Sequence, residues 1–397
     1  MRILNVTESY APFYEFGGPP AKVEALSRGL VDRGNQVTVV TADWGVKKRI
    51  AGTPQERGLQ RSSFGWAVTE HGVVTIYLQT WLQYRATSWN PAIGKFLKAQ
   101  LNTFDVAHIF GLYDLLGPAV AKACKKQRVP YVVEPIGMFV PIVRNVFLKR
   151  LYHSVYGKEM LEGAARVIAT SEQEMRELTE GGIPREKIEL RRNGVMKPDF
   201  VPERGTFRRA GGITNDALVV LFLGRMSEKK SPELLLKSFA ALPGELRQKA
   251  MLVYAGPDEQ GMEGRLKNAA KELGISERVR FVGPIFGEKK WAAYRDADVF
   301  VLPSQNENFG NTAAEAAVTG TPVIVTENCG IAPLLKEAGI IIRHDEKELT
   351  QALKTLLGDR TLREQVSAKA IESTSQIGWK DPVEMMEILY RKLAENK

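Results

Sequence analysis

The sequence is poor in the residues that would make it a secreted, metal-binding or membrane-spanning protein. Only two cysteines occur among 397 residues, Cys124 and Cys329, far apart and without Cys-x-x-Cys spacing. Neither a disulfide framework nor a thiolate zinc site is therefore expected. The four histidines, His71, His108, His153 and His344, are scattered, and no metal site is expected among them. No run of eighteen apolar residues occurs, so no segment is expected to cross a bilayer as a helix. The first residues, Met1-Arg2-Ile3-Leu4, run directly into a strand-like segment without a basic and apolar leader, and the expectation is a cytoplasmic protein.

What is present is the composition of an ordinary globular protein, 44% hydrophobic and 25% charged. The length exceeds what one hydrophobic core usually organises, so two domains are expected. The net charge of +9 is shared unevenly: residues 1–200 hold 27 Lys and Arg against 19 Asp and Glu, leaving that half at +8 and the rest at +1. Such an excess fits a solvated surface, or attraction to nucleic acid, an anionic membrane or a phosphorylated substrate. No motif of interleaved basic and stacking aromatic residues favours nucleic acid.

Short β-branched runs alternate with helix-patterned segments through both halves, the pattern of parallel sheets built from strand-helix-strand units. Strands are expected at 3–7, 36–41, 73–78, 106–109, 131–133 and 167–169. A second set is expected at 218–223, 251–255, 279–282, 299–302, 322–325 and 340–342. Between the two sets RRNGVMKPDFVPERG, 191–205, is rich in Gly, Pro and charge and reads as a linker. The expected domains are thus 1–195 and 206–379. In open parallel sheets ligands bind beyond the C-terminal strand ends, so chemistry is expected in the loops that come after strands.

Three such loops stand out. GRMSEKK, 224–230, follows the apolar run ALVVLFL. Gly224 allows a sharp turn, Arg225 offers a planar fork of donors, and Lys230 adds a mobile point charge, a pair suited to a diphosphate or, more plainly, to a solvated loop before a helix. ENFGNTAAE, 307–315, places two carboxylates eight positions apart around a turn. Asn311 or Thr312 can cap a helix with Glu315 at capping-box distance, and the free N–H groups at about Phe309 to Asn311 would face an anion. Glu307 and Glu315, as acceptors for vicinal hydroxyls, could then hold one sugar on each side of a diphosphate. FGGPP, 16–20, ends an aromatic and proline-rich loop after the first strand, and Gly17-Gly18 permits close backbone approach to a ligand.

The order FGGPP, RRNGV, GRMSEKK, VRFVGPI, DVFVLPSQNENFGNTAAEAAVTGTPVIVT and GWKDPVEMMEILYRKL resembles the retaining glycosyltransferases of family 4, with their Glu-x7-Glu motif. The resemblance spans the chain from its start to about residue 393. It implies a GT-B fold, an α/β architecture of two Rossmann-like parallel-sheet domains facing each other across a cleft. The first domain would lie on the acceptor side, the second would bind a nucleotide-sugar, and a helix at about 380–397 would cross back to the first. Arg225 and Lys230 would bind the donor diphosphate, Glu307 hydroxyls of the donor sugar, and Glu315 the ribose. Phe309, Gly310 and Asn311 would touch sugar or phosphate through their amides. The stretch 282–285, with Val282 and Pro284, would lie along the base, and Gly17 and Gly18 would close over the phosphates. Arg225, Lys230 and Glu307 are the implied catalytic set. The nucleotide-sugar, a UDP- or GDP-sugar, would be a co-substrate rather than a cofactor. The acceptor would be a glycan or lipid-linked hydroxyl.

Two positions depart from the resemblance. Ile136, in EPIGM, stands where relatives often carry a sugar-contacting histidine, and Ser231 follows Lys230 where Gly is usual. His108 reads as structural. Without a metal, the charge growing on the leaving diphosphate would be met by Arg225, Lys230 and helix N-termini. Glu134 is a candidate nucleophile for a double displacement, but the reading favours front-side attack assisted by the leaving phosphate. An NDP-sugar epimerase on the same fold and a non-catalytic sugar-binding protein are the alternatives. Finally, NVFLKRLYHSVYGKEML, 145–161, carries Phe147, Leu151 and Val155 in one stripe with Leu148 and Tyr152 beside it. That stripe fits a core-facing helix or, with Lys149, Arg150 and His153 nearby, a peripheral contact with an anionic membrane at the inner face.

Overall fold

The computed structural model describes residues 1–84, 87–140, 146–195, 198, 200 and 202–395. Contacts divide the chain into two compact units, Met1–Gly194 with Trp379–Lys397, and Val195–Gly378. Of the expected linker, residues 196, 197, 199 and 201 lie outside the described residues; so do Asn145, at the head of the apolar stripe, and residues 396–397.

The first unit is built on a nine-stranded sheet. Its strands are β1 (Arg2–Thr7), β2 (Gln36–Ala42), β3 (Gln60–Arg61), β4 (Gly65–Glu70) and β5 (Val73–Leu78), while β6 (Leu82–Tyr84) and β7 (Thr87–Trp89) form a separate hairpin. The sheet continues with β8 (Val106–Phe110), β9 (Tyr131–Glu134), β10 (Arg166–Ala169) and β11 (Ile188–Leu190), in the order β11-β10-β9-β8-β1-β2-β5-β4-β3. The central strands are parallel and buried on both faces, which is why their sequences are mostly apolar, with Asn5 and Thr7 in β1 and His108 in β8 as buried polar exceptions. Strands β3 and β4 run antiparallel at the β5 edge, and β4 turns into β5 through His71-Gly72, both at positive φ as a two-residue hairpin requires.

The second unit has six parallel strands: β12 (Leu218–Leu223), β13 (Ala250–Ala255), β14 (Val279–Phe281), β15 (Val299–Leu302), β16 (Val323–Thr326) and β17 (Gly339–Ile342), ordered β14-β13-β12-β15-β16-β17. Fully buried Phe222 and Phe300 are among its core side chains, each worth about 1.5–3 kcal/mol of burial. In both sheets the chain winds outward in one direction and then returns to build the other side. The reversals fall between β1 and β8 and between β12 and β15, where an open sheet presents a crevice at its strand ends.

Six helices border the charged loops or the exposed apolar surface: α1 (Gly18–Asp32), α2 (Val146–Tyr152), α3 (Pro232–Ala240), α4 (Gly287–Asp296), α5 (Asn311–Val318) and α6 (Lys380–Glu395). Helix α6 buries Val383, Met386, Leu389 and Tyr390 against Val23, Leu26 and Leu30 of α1. Its Glu387 accepts from Asn35 and is paired with Arg33 and Arg391, which together hold its carboxyl down at about 2.

The apolar stripe does not face the core. Phe147, Leu148, Leu151 and Val155 are all exposed, Phe147 to 78%, and α2 buries no residue. The helix then widens into a π-turn over His153–Gly157, and only after it, at Met160 and Leu161, does the segment enter the core. Among the described residues no helix is long and apolar enough to cross a membrane.

Candidate functional site

The second unit places its charged loops at the reversal point. Gly224 comes directly after the last residue of β12 and donates to the Ala255 carbonyl, while Gly256 donates to that of Gly283, stitching three strand ends together. Gly256 has φ +141°, and a Cβ there would sit 2.0 Å from the Gly224 carbonyl oxygen, so only glycine lets these backbones approach. Arg225 comes next, then a single turn at Glu228–Lys230, and Ser231 at φ +49° before α3 begins at Pro232. That left-handed conformation is one glycine adopts without strain and serine does not, and the Ser231 hydroxyl is held at 2.8 Å by His344 Nε2. The Lys230 stem lies over Gly224, and its ammonium pairs with Glu307 at 2.7 Å.

Glu307 lies in the loop after β15. Its loop is strapped on both sides: Gln305 donates to the Lys229 carbonyl, Glu307 to Asn328, Gly330 to Glu307, and Ile331 to Phe309. Burial alone would raise the Glu307 carboxyl, but Lys230, through charge and hydrogen bond, with Lys229 and Arg225 adding charge, holds it below the usual carboxylate range. The group is ionised at neutral pH.

Helix α5 begins at Asn311, and its N-cap is Gly310, at φ +96°, rather than Asn311 or Thr312. A Cβ on Gly310 would lie 2.5 Å from Cys329 Sγ. Glu315 closes no capping box, because it is the fifth helical residue and points toward α4, where Lys290 Nζ and the Tyr294 hydroxyl each reach it at 2.8 Å. Those two partners were not foreseen in the sequence; they lie on a different helix and no local spacing announces them. The first N–H groups of α5 have no intrahelical acceptor. Beside them Asn308 Oδ1 and Thr312 Oγ1 are buried without a hydrogen-bond partner, a cost that a polar ligand at the helix end would remove. The residues from Val282 to Pro284 come after β14 at the same edge of the sheet, with Pro284 exposed. Arg225, Lys230, Glu307, Phe309, Gly310, Asn311 and Glu315 are thus gathered on the loops and helix that come after β12 and β15, with Val282 and Pro284 two strands away.

In the first unit Gly17, at φ +100°, caps α1, and both Gly17 and Gly18 are exposed at its N-terminus. At the reversal between β1 and β8 lies a pair of carboxyls not anticipated from sequence, Glu8 and Asp114. Burial first, then the Asp114 charge, pushes Glu8 up to about 9. Glu134 is no accessible nucleophile: it is fully buried, paired with Lys22, 2.6 Å from Arg191 and 3.5 Å from His108. Burial works against its charge, yet Arg191 and Lys22 hold it down at about 2. His108 is equally buried, with Nδ1 2.5 Å from the Tyr390 hydroxyl, and burial pushes its imidazole down to about 3; it is a neutral structural group. Ile136, at φ +56°, packs against the core cluster that contains α6.

Two parallel sheets of this winding, each with loops of chemistry at its reversal point, define the GT-B class of fold. The family described as "Glycosyl transferases group 1" matches residues 203–373, and the "Glycosyl transferase 4-like domain" matches residues 17–194. The chain belongs to the family 4 glycosyltransferases. It is 32% identical over 233 residues to D-inositol 3-phosphate glycosyltransferase of Nocardia farcinica, covering 56% of this chain and 51% of that protein. It thus spans about half the length of such curated relatives. Sucrose-phosphate synthase from Thermosynechococcus elongatus shares its fold with a TM-score of 0.77 at 21% identity, each chain covered in full. HepE of Anabaena, in complex with UDP and glucose, shares it with a TM-score of 0.76 at 17% identity, over 99% of this chain and 100% of that one.

Proposed function

We propose that the protein transfers a hexosyl group from a nucleoside-diphosphate sugar, a UDP- or GDP-sugar, to a hydroxyl acceptor, with retention at the anomeric carbon and without a metal. The observation that carries this reading is the meeting of the Lys230–Glu307 pair with the N-terminus of α5, where buried Asn308 and Thr312 oxygens lack partners. One N–H of Lys230 serves Glu307, and the remaining donors of that ammonium, with the Arg225 fork, meet the diphosphate. Glu307, ionised, accepts from donor-sugar hydroxyls, while Glu315 takes the ribose. The bond from C1 to the diphosphate oxygen breaks as the acceptor oxygen bonds C1 on the same face. The acceptor proton passes to the departing phosphate oxygen. The burial and ion pairing of Glu134 speak for this route over a double displacement through that residue.

The acceptor we favour is a glycan or lipid-linked hydroxyl met by a cytoplasmic protein at the inner face of a membrane, in cell-surface polysaccharide or glycolipid synthesis. The exposed, basic-flanked α2 supports it. A small phosphorylated polyol is the second acceptor class, favoured by the relatives named for D-inositol 3-phosphate. Calorimetric titration with UDP, GDP and ADP, and then transfer assays with sugars of the nucleotide that binds, test the reading. Binding of none of the three would overturn it.

A further inference from the structure

The first unit carries a second exposed apolar element that the stripe at 147–155 did not suggest. The hairpin β6–β7 shows Trp81, Leu82 and Trp89 to solvent at 64%, 66% and 45%, the two indoles packed edge to face at 5.7 Å. An isolated hairpin with this much exposed aromatic surface gains little in water.

The hairpin and α2 are neighbours. Thr87 of β7 donates to the Tyr113 carbonyl at 3.0 Å; the Tyr113 ring packs on Tyr152 of α2 at 5.3 Å and lies under Lys149. Tyr152 also donates to the Asp114 carbonyl, and the adjoining Leu115 is 40% exposed. On the hairpin's other side Thr80 donates to the Asp43 carbonyl, which leads into the basic turn Val46–Arg49, where Lys47, Lys48 and Arg49 are exposed. These segments come after β2, β5, β8 and β9 and so share one edge of the sheet. Contacts, rather than strand order, link them in turn: the basic turn to the aromatic hairpin through Asp43 and Thr80, the hairpin to the Tyr113–Leu115 loop through Thr87, and that loop to α2, with Phe147, Leu148, Lys149, Arg150 and Leu151, through Tyr152.

We propose that this edge is a docking surface for an anionic bilayer, with the hairpin and α2 as two apolar prongs inserted at the headgroup level and the basic turn and Arg150 seated among acidic headgroups. Charge complementarity selects the occupant: apolar side chains flanked at both ends by cations, in a half of the chain that carries +8 of the net +9, match an acidic lipid surface. Tryptophan and tyrosine are the side chains that settle at that depth. The inference deepens the proposed membrane-proximal acceptor, since a lipid-borne hydroxyl would then be presented between the prongs at the Tyr113–Leu115 loop, beside Glu8.

The test is sedimentation of the full chain, without donor, with vesicles of phosphatidylcholine alone or with 30% phosphatidylglycerol, at low and high salt. Binding is expected only with the anionic lipid and is expected to fade with salt. Trp81→Ser/Leu82→Ser and Phe147→Ser/Leu148→Ser should each lower the partition coefficient at least tenfold, and Lys48→Glu/Arg150→Glu should do the same at low salt only. Brominated acyl chains should quench tryptophan emission in the wild type and not in Trp81→Phe/Trp89→Phe. Circular dichroism and nucleotide titration report that each variant is folded, and they read the donor site independently of the membrane. No binding to anionic vesicles at low salt overturns the proposal, as does concentration-dependent self-association abolished by the same apolar variants, which would make the partner a second copy.

Discussion

Replacing Lys230 tests the central assignment most directly, because it separates the ion pair that this side chain makes from the diphosphate contact proposed for it. Its ammonium is the partner of Glu307 at 2.7 Å, and it lies over Gly224 at the mouth of β12. Loss of one preorganised donor to a developing anion typically costs about 3–4 kcal/mol of transition-state stabilisation, roughly a hundred- to a thousandfold in turnover. Lys230→Ala and Arg225→Ala are therefore each expected to lower turnover at saturating donor by at least about tenfold, the conservative edge of that range. Lys230→Ala should also destabilise the fold, since the Glu307 carboxyl is held below its usual range by this lysine. A depressed carboxyl contributes stability that is present above its unfolded value near 4.5 and lost as pH falls below it. Both side chains keep about a fifth of their surface exposed, so solvent screening limits the loss to about 1–2 kcal/mol at pH 7, or roughly 2–8 °C in Tm. Adding Glu307→Gln should restore most of the Tm and none of the turnover. The assay is steady-state transfer at saturating donor beside thermal unfolding of the same preparations. Wild-type turnover in both single variants would refute the reasoning.

Glu315→Gln should mainly raise the Michaelis constant for the donor, since the ribose is remote from the breaking bond; a pure turnover defect at unchanged donor affinity would contradict that role. Gly310→Ala, which forces a side chain into a left-handed N-cap 2.5 Å from Cys329 Sγ, should destabilise by about 2–4 kcal/mol in denaturant titration and shift nucleotide affinity with it. Glu134→Gln strands two buried cations and should cost about 3–5 kcal/mol at pH 7. Because its folded value is depressed to about 2, the difference from wild type should shrink as pH falls from about 5 toward 2. A variant of normal stability with abolished turnover would instead return Glu134 to the role of nucleophile.

Much of the candidate site was legible because it is local. Gly224 to Lys230 and Glu307 to Glu315 each come after an apolar run that could only be a buried strand, and parallel sheets put their chemistry at such ends. The twelve strands read from β-branched runs all formed within a residue or two of their expected bounds. Strands β3, β4 and β11 and the hairpin β6–β7 were not foreseen: all but β4 are only two or three residues long, and their pairing, like the His71-Gly72 turn that reverses β4 into β5, depends on a neighbour already in place.

Charge type and spacing in the sequence determined which side chains would sit at the strand ends, because backbone hydrogen bonding and apolar runs act over a few residues. Who pairs with whom was settled by folding alone. Glu315 found Lys290 and Tyr294 on α4 instead of its own helix end, and Glu134 found Lys22 and Arg191 from distant segments. Whether the stripe at 147–155 met the core or water was decided the same way. A helical period shows only that one face is apolar; which surface that face meets depends on the volume left by every other element, and here the other elements fill the core and leave α2 at its edge.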